Sequence, residues 1–260
     1  LSADLAIPLS RFPVGWSALD VRLEGVGDAE PRDDARRFVI EVSPQPAAVI
    51  FASPPDWETR FLARILGDVA RVPLKTFVET EPGRWRDAAT LAPAAAAELR
   101  RAAQGARLVV LAGDPERARG FVPPAAALLV WPTTRALPGD WYVERPPPSP
   151  LSAGLVGIAW DSLPPAASVS DALLPRDSGL ITVLTARLAR RGAPRPVVTL
   201  EQRDGKRSAT IAAAGLWRWA FRGGAGEEAY RGLVAALADW LLGGGVGRKE
   251  RAVPLTLETP

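Results

Sequence analysis

Two short runs of wholly apolar residues place the strongest limit on the fold of this chain. They are AAVIFA at 47–52 and the apolar stretch within RLVVLAGD at 107–114. A strand with one solvated face alternates apolar and polar residues, whereas a strand without alternation is typical of a parallel sheet covered on both faces. The first run is followed by DWETRFLARIL, which has helical periodicity and Asp56 as its N-cap. This order of strand and helix predicts an α/β domain over 47–245.

The residues on either side of this domain have a different pattern. Residues 1–46 contain short runs of alternating apolar and polar residues separated by turn-rich segments, and such runs predict strands. Because two or three strands do not make a stable sandwich alone, we interpret 1–46 as a partial immunoglobulin-like β segment. Residues 246–260 are predicted to be a C-terminal extension toward a further module.

The second half of the domain is harder to assign. Residues 138–178 are rich in proline and are predicted to be irregular, with one short strand at 154–160 (GLVGIAW). The dipeptide Asp204-Gly205 lies between two alternating runs and predicts a hairpin with a type I′ turn. An apolar stripe then predicts a final helix over 227–242.

The residue types that are missing exclude several kinds of chemistry. The chain has no cysteine, no histidine and no methionine among its 260 residues. Cysteine nucleophiles, Ser-His-Asp triads and zinc sites built from Cys or His are therefore excluded from this chain alone. The formal net charge is only +3, and the basic residues are scattered among acids, so we expect no nucleic-acid partner. No cofactor or metal ion is predicted.

Two short motifs carry a resemblance to a known family. They are Trp57-Glu58-Thr59-Arg60-Phe61-Leu62 and Gly215-Leu216-Trp217-Arg218-Trp219, the latter followed by Trp240-Leu241. With these motifs in this order, the chain resembles a domain of membrane-anchored bacterial proteins related to von Willebrand factor A (BatA-type) proteins. This domain is extracytoplasmic and glutamine-amidotransferase-like. The resemblance implies a flavodoxin-like, mainly parallel sheet flanked by helices. It also implies a location at the periplasmic or extracellular face of the inner membrane, with protein partners or neighbouring domains and no membrane insertion by this segment.

The chain departs from this family at the catalytic positions. Active amidotransferases use a Cys-His-Glu triad, and the expected nucleophile turn here is Trp131-Pro132-Thr133. Because glutaminase chemistry is excluded, we predict a non-catalytic domain with a structural or protein-interaction role. The alternative is a small-molecule binder or hydrolase that uses Glu58, Arg60 and Asp114 at the C-terminal rim of the sheet, where open α/β sheets bind ligands. Ser53 and Ser208 have no visible base to activate them.

Each of the two motifs has a structural and a functional interpretation. In an extended segment, Trp217 and Trp219 would share one face and Arg218 would oppose them. They would then form either a packed neck before the final helix, which we favour, or an aromatic platform with an arginine clamp. Trp57 and Glu58 either begin a helix, with Glu58 stabilising its positive end, or contact a ligand at the rim.

Overall fold

The computed structural model describes residues 13, 15–22, 35–42, 47–70, 72–133, 136–170 and 179–243. The chain divides into two compact units, Leu1–Gln45 and Pro46–Pro260. In the first unit, strands β1 (Gly15–Arg22) and β2 (Ala35–Val42) pair antiparallel. The predicted extension at 246–260 lies outside the described residues, and the immunoglobulin-like interpretation of 1–46 stays a prediction.

The second unit is built on one large sheet with four helices. The helices are α1 (Trp57–Ala70), α2 (Ala96–Gln104), α3 (Trp217–Arg222) and α4 (Gly224–Gly243). The strands in chain order are β3 (Ala48–Ser53), β4 (Leu74–Glu81), β5 (Arg84–Asp87), β6 (Pro93–Ala94), β7 (Leu108–Gly113), β8 (Ala127–Pro132), β9 (Leu137–Val143), β10 (Ala166–Val169), β11 (Leu180–Leu188), β12 (Arg195–Arg203), β13 (Lys206–Ile211) and β14 (Ala213–Ala214).

The sheet is mixed, and antiparallel pairs outnumber parallel ones. Its twelve described strands lie in the order β14-β10-β9-β11-β12-β13-β8-β7-β3-β4-β5-β6. The parallel block runs from β13 through β8, β7 and β3 to β4, and every other neighbouring pair is antiparallel. The predicted flavodoxin-like, mainly parallel sheet flanked by helices is therefore wrong.

The physical reason for this error lies in the connections. A parallel pair requires a crossover of a dozen or more residues, usually helical, whereas an antiparallel pair closes with a tight turn. The chain turns back tightly between β4 and β5 and between β12 and β13, so antiparallel strands extend the parallel block on both sides. The β12–β13 turn is the predicted hairpin, with positive φ angles at Asp204 and Gly205.

The two wholly apolar runs form β3 and β7, which are neighbours inside the parallel block, and both strands are buried throughout. Alternate residues of β3 face opposite layers of the unit. Ala48 and Ile50 pack in a core with α1 and α4, and Val49 and Phe51 pack in a second core with α2. The absence of alternation therefore did indicate strands covered on both faces.

The proline-rich middle segment is more regular than expected. It contributes strands β9 and β10, and the predicted strand at 154–160 is instead a pair of 3-10 turns, Ser152–Leu155 and Trp160–Ser162. Helix α4 begins at Gly224, three residues before the predicted start. At this end of the sheet, β10 has four residues and β14 has two.

Candidate functional site

Four aromatic side chains from distant parts of the sequence meet on the surface of the second unit. Trp57 and Phe61 come from α1, and Trp217 and Phe221 come from α3. The ring centroids of Trp57 and Trp217 are 5.8 Å apart, and those of Phe61 and Trp217 are 6.0 Å apart. Phe221 meets Phe61 and Trp217 edge-on at 6.4 and 5.8 Å. We call these four residues the aromatic cluster.

Helical spacing explains why the rings converge. Each helix contributes two aromatics four positions apart, which places them on one face of that helix. Phe61 and Trp217 are half-buried, but Trp57 is 52% exposed and Phe221 is 72% exposed. The cluster is therefore packed on its inner side and open to solvent on its outer side.

The interpretation of Trp217 and Trp219 as neighbours on one extended face is wrong, because both lie in helix α3. Adjacent-but-one positions of a helix point in nearly opposite directions. Trp219 is fully buried, and its Nε1 donates a hydrogen bond to the Pro164 carbonyl oxygen at 2.7 Å. Trp217 lies at the surface with the Arg218 guanidinium 6.0 Å from its ring centroid. The motif thus combines one core residue with one surface residue.

Glu58 links the two motifs. Its side chain is only 3% exposed, and its carboxylate accepts hydrogen bonds from the backbone N–H groups of Gly215 and, at 3.0 Å, Trp217. Burial raises the pKa of Glu58 to about 8, together with the charge of Asp56 and against the backbone donors of residues 215–217, which lower it. Glu58 therefore holds the start of α3 against α1, and it does not lie free at the rim as the ligand interpretation required.

The other polar groups near Glu58 have structural roles. Asp56 caps α1 as predicted, accepting hydrogen bonds at 2.9 Å from both the backbone N–H and the hydroxyl of Thr59. Tyr230 of α4 is buried, and its hydroxyl has no hydrogen-bond partner among the described residues. Burial and the charges of Glu58 and Asp56 raise the pKa of this phenol.

A second polar site lies where β3 and β4 end. The Ser53 hydroxyl donates a hydrogen bond to Glu79, and Arg117 donates two more, at 2.6 and 3.0 Å. The Gly83 backbone N–H donates a fourth, at 2.6 Å. Burial acts to raise the pKa of Glu79, but these hydrogen bonds outweigh it and lower the pKa to about 2. Glu79 is therefore a weak base for activating Ser53.

An open groove borders the aromatic cluster. Its volume is about 700 Å³, and it lies between the N-terminal half of α1, the first half of β4 and the turn that follows β5. Asp56, Thr59 and Arg60 line the first wall, and Lys75 and Asp87 lie on the opposite side. Arg60 connects the groove to the aromatic cluster, since it lines the groove and its guanidinium lies 5.3 Å from the Trp57 ring centroid.

The side chains of the three proposed hydrolase residues contact different partners. Glu58 is buried against α3, and Arg60 lies over Trp57. The Asp114 carboxylate accepts a hydrogen bond from the Glu116 backbone N–H at 3.2 Å, capping the 3-10 turn Pro115–Arg117. None of these contacts joins one of the three side chains to another.

Sequence reasoning missed several of these residues. Phe221 could have been found, because it repeats in α3 the four-residue spacing of the α1 aromatics. Glu79 and Arg117 could not, because they are 38 positions apart and only the sheet brings them together. The described residues contain no cluster of three or more Asp, Glu, His or Cys side chains able to hold a metal ion.

Among the described residues, no helix is both long enough and apolar enough to cross a bilayer. Comparison of the chain with family models, curated proteins and solved structures finds no match.

Proposed function

We propose that this chain is a non-catalytic protein-binding module whose contact surface is the aromatic cluster. The observation that carries the proposal is the exposure of Trp57 and Phe221 at the edge of a preformed stack of rings. Trp and Arg are the residue types most enriched among those that dominate binding energy at interfaces. Because Glu58 holds the backbone at the start of α3 against α1, the two helices that carry the cluster would not have to rearrange to bind a partner.

The polar sites support a non-catalytic role. The sequence has no cysteine or histidine, so acid–base work would fall to carboxylates, lysine or tyrosine. Glu58 is buried against backbone donors, and Glu79 is paired with Arg117. Both buried carboxylates therefore have structural partners. The resemblance of the two motifs to extracytoplasmic domains of membrane-anchored bacterial proteins supports placing this module at the periplasmic or extracellular face.

Selection from a random peptide library displayed on phage tests the proposal. The affinity of enriched peptides would be measured by fluorescence anisotropy on the wild type, on Trp57→Ala/Phe221→Ala and on Val156→Ala. Val156 is an exposed apolar residue outside the cluster and serves as the matched control. We expect roughly a 30-fold loss of affinity in the double variant and no change in the control. Peptides that bind all three proteins equally would refute the proposal.

The groove favours a second candidate function, binding of a small molecule. Its volume is within the range of ligand pockets, and it presents polar groups of both signs beside apolar walls. A thermal-shift screen of metabolites and sugars tests this candidate, with Arg60→Ala and Asp87→Ala as groove variants. A ligand that stabilises the wild type but neither variant would establish it, and equal stabilisation of all three would place the ligand elsewhere.

A further inference from the structure

We infer that the partner is an acidic peptide segment, which lays apolar or aromatic side chains on the aromatic cluster and extends its chain into the adjoining groove. This inference rests on the proposed function, and it adds the chemical class of the partner and its path over the surface. Three features of the described surface lead to it: unpaired arginines, their positions around the rings, and the shape of the groove.

Four exposed arginines flank the aromatic cluster without an acidic partner. Arg60 and Arg64 lie on α1, and Arg218 and Arg222 lie on α3. Across the part of the chain that the structure describes, none of the four is within salt-bridge distance of a carboxylate, in contrast to arginines elsewhere on the unit, such as Arg187, which is paired with Glu144. This surface therefore carries positive charge that an acidic partner would neutralise.

Two of these arginines lie over rings of the aromatic cluster. The guanidinium groups of Arg60 and Arg218 lie 5.3 and 6.0 Å from the ring centroids of Trp57 and Trp217. An arginine stacked on an aromatic ring keeps its in-plane N–H donors free, and these donors match the two oxygens of a carboxylate. A peptide that alternates aromatic and acidic side chains would meet rings and guanidinium groups in turn.

The concave shape of the groove indicates that the partner is an extended peptide rather than a flat surface. Helical geometry places Arg60 and Arg64 between the Trp57 side of α1 and the groove side that carries Asp56 and Ala63. Within the groove, Lys75 is already paired with Glu98 at 3.0 Å and lies 3.5 Å from Asp87. Arg60 is therefore the groove cation available to a ligand. An extended peptide can enter this concave surface from the cluster, whereas a bilayer cannot.

The sheet edges argue against the common alternative, addition of a partner strand. The two edge strands of the large described sheet, β14 and β6, have two residues each. So short an edge offers few backbone groups for strand addition. The side chains of the cluster and the groove are thus the better basis for recognition.

The phage selection described above gives the first test. Peptides that depend on Trp57 and Phe221 are expected to be enriched in Asp and Glu. Cluster-dependent peptides that are neutral or basic would overturn the acidic class while leaving the proposed function intact. Failure to recover any cluster-dependent peptide would overturn both, so the two failures are distinguishable.

Charge variants give the second test. For the tightest peptide, replacement of its acidic residues by Gln is expected to weaken binding roughly tenfold or more. The protein variant Arg60→Glu/Arg218→Glu is expected to weaken binding of the unchanged peptide by a similar factor. Arg100→Glu/Arg101→Glu, at two exposed positions of α2, is the charge-matched control and should have no such effect. A peptide with Lys in place of its acids should regain affinity for Arg60→Glu/Arg218→Glu, which shows that this variant is folded. Equal binding of the acidic and Gln peptides to the wild type would refute the inference.

A vesicle assay tests the membrane alternative. Co-sedimentation would be measured with vesicles of phosphatidylcholine alone and with added phosphatidylserine. We expect no binding to either. Phosphatidylserine-dependent binding that is lost in Trp57→Ala/Phe221→Ala would show that the same surface contacts an anionic membrane, and it would overturn the peptide assignment.

Discussion

Two buried glutamates, Glu58 and Glu79, show how differently one carboxylate can behave at two places beside the same sheet. Their exposed fractions are similar, 3% and 6%. Glu58 accepts only backbone N–H donors, and burial raises its pKa to about 8. Burial also acts to raise the pKa of Glu79, but Arg117, with Ser53 and Gly83, lowers it to about 2. Burial alone therefore does not set the charge of a carboxylate, because the nature of its hydrogen-bond partners decides it.

The two glutamates also hold different parts of the unit together. Glu58 connects α1 to the start of α3, which is 159 positions away from it, and so holds together the two helices that carry the aromatic cluster. Glu79 connects β4 to Ser53 and to the 3-10 turn that carries Arg117. Loss of Glu58 should therefore disturb the proposed binding surface, whereas loss of Glu79 should disturb only the rim.

The largest expected effect is that of Glu58→Ala. This change leaves the buried N–H groups of Gly215 and Trp217 without acceptors, at about 1–3 kcal/mol each, so the free energy of unfolding should fall by about 4 kcal/mol. Glu79→Ala should cost less, because Arg117 is partly exposed and water can replace its lost partner. Urea unfolding of the two variants measures both values.

Glu58→Gln sharpens this prediction. With a pKa of about 8, Glu58 is mostly neutral at pH 7, and Gln is close to a neutral carboxyl group in shape. Because a neutral carboxyl group, like the Gln amide, has only one carbonyl oxygen, the Gln variant should lose at most about 1 kcal/mol at pH 7. If Gln costs as much as Ala at pH 7, then Glu58 is charged in the folded protein, and the contrast with Glu79 is wrong.

The next effect concerns the glycine that each glutamate contacts. Gly215 and Gly83 both have positive φ, at 90° and 77°, and both donate their backbone N–H to a glutamate. A Cβ on Gly215 would lie 2.7 Å from the Ala167 backbone nitrogen, whereas a Cβ on Gly83 would meet open space. Gly215→Ala should therefore cost about 3 kcal/mol from strain and overpacking together, and Gly83→Ala about 1 kcal/mol from strain alone.

Thermal unfolding of the two alanine variants, measured side by side, checks this difference. Binding of a cluster-dependent peptide gives a second measurement, because only Gly215→Ala should shift α3 and weaken it. Equal destabilisation by the two substitutions would mean that the tight packing at Ala167 relaxes freely. The predicted difference between Gly215 and Gly83 would then be wrong, whereas the pKa difference between Glu58 and Glu79 would not be affected.

The sequence predicted the parts of this unit that depend on local pattern. The apolar runs of β3 and β7, the Asp56 cap and the Asp204-Gly205 hairpin all follow from neighbouring residues, and the structure contains them. The sheet as a whole could not be predicted in this way. Whether the strands after β8 pair parallel or antiparallel depends on the paths of the connections, which residue periodicity does not determine.

The candidate site shows the same division. Both aromatic motifs were visible in the sequence, but their contact depends on a hydrogen bond between residues 58 and 215. The extended interpretation of 217–219 failed because the segment contains only one turn and a half of helix, too short for a helical period to stand out. The partners of Glu79 could not be predicted because three separate segments of the chain supply them.

The two glutamates should also give opposite pH dependences of stability. The ordinary pKa of a Glu carboxyl is 4.5, so folded Glu58 binds more protons than the unfolded chain between pH 4.5 and about 8. The contribution of Glu58 to the free energy of unfolding should be complete below pH 4.5 and should be lost as the pH rises through this range. Between pH 7 and 8 the loss should be about 1 kcal/mol. Glu58→Gln should remove this slope.

Glu79 should give the reverse slope, because its folded-state pKa of about 2 lies below 4.5. Its contribution is present above pH 4.5 and is lost as the pH falls toward 2, and Glu79→Gln should flatten only this acid limb. The limb should be shallow and weaken further in salt, since the exposed side of Arg117 is screened by solvent. Urea unfolding at a series of pH values separates the two limbs. Each slope follows from the partners of one glutamate alone. If Glu58→Gln flattens the acid limb, or Glu79→Gln the alkaline limb, then the pKa shifts of the two residues have been assigned wrongly.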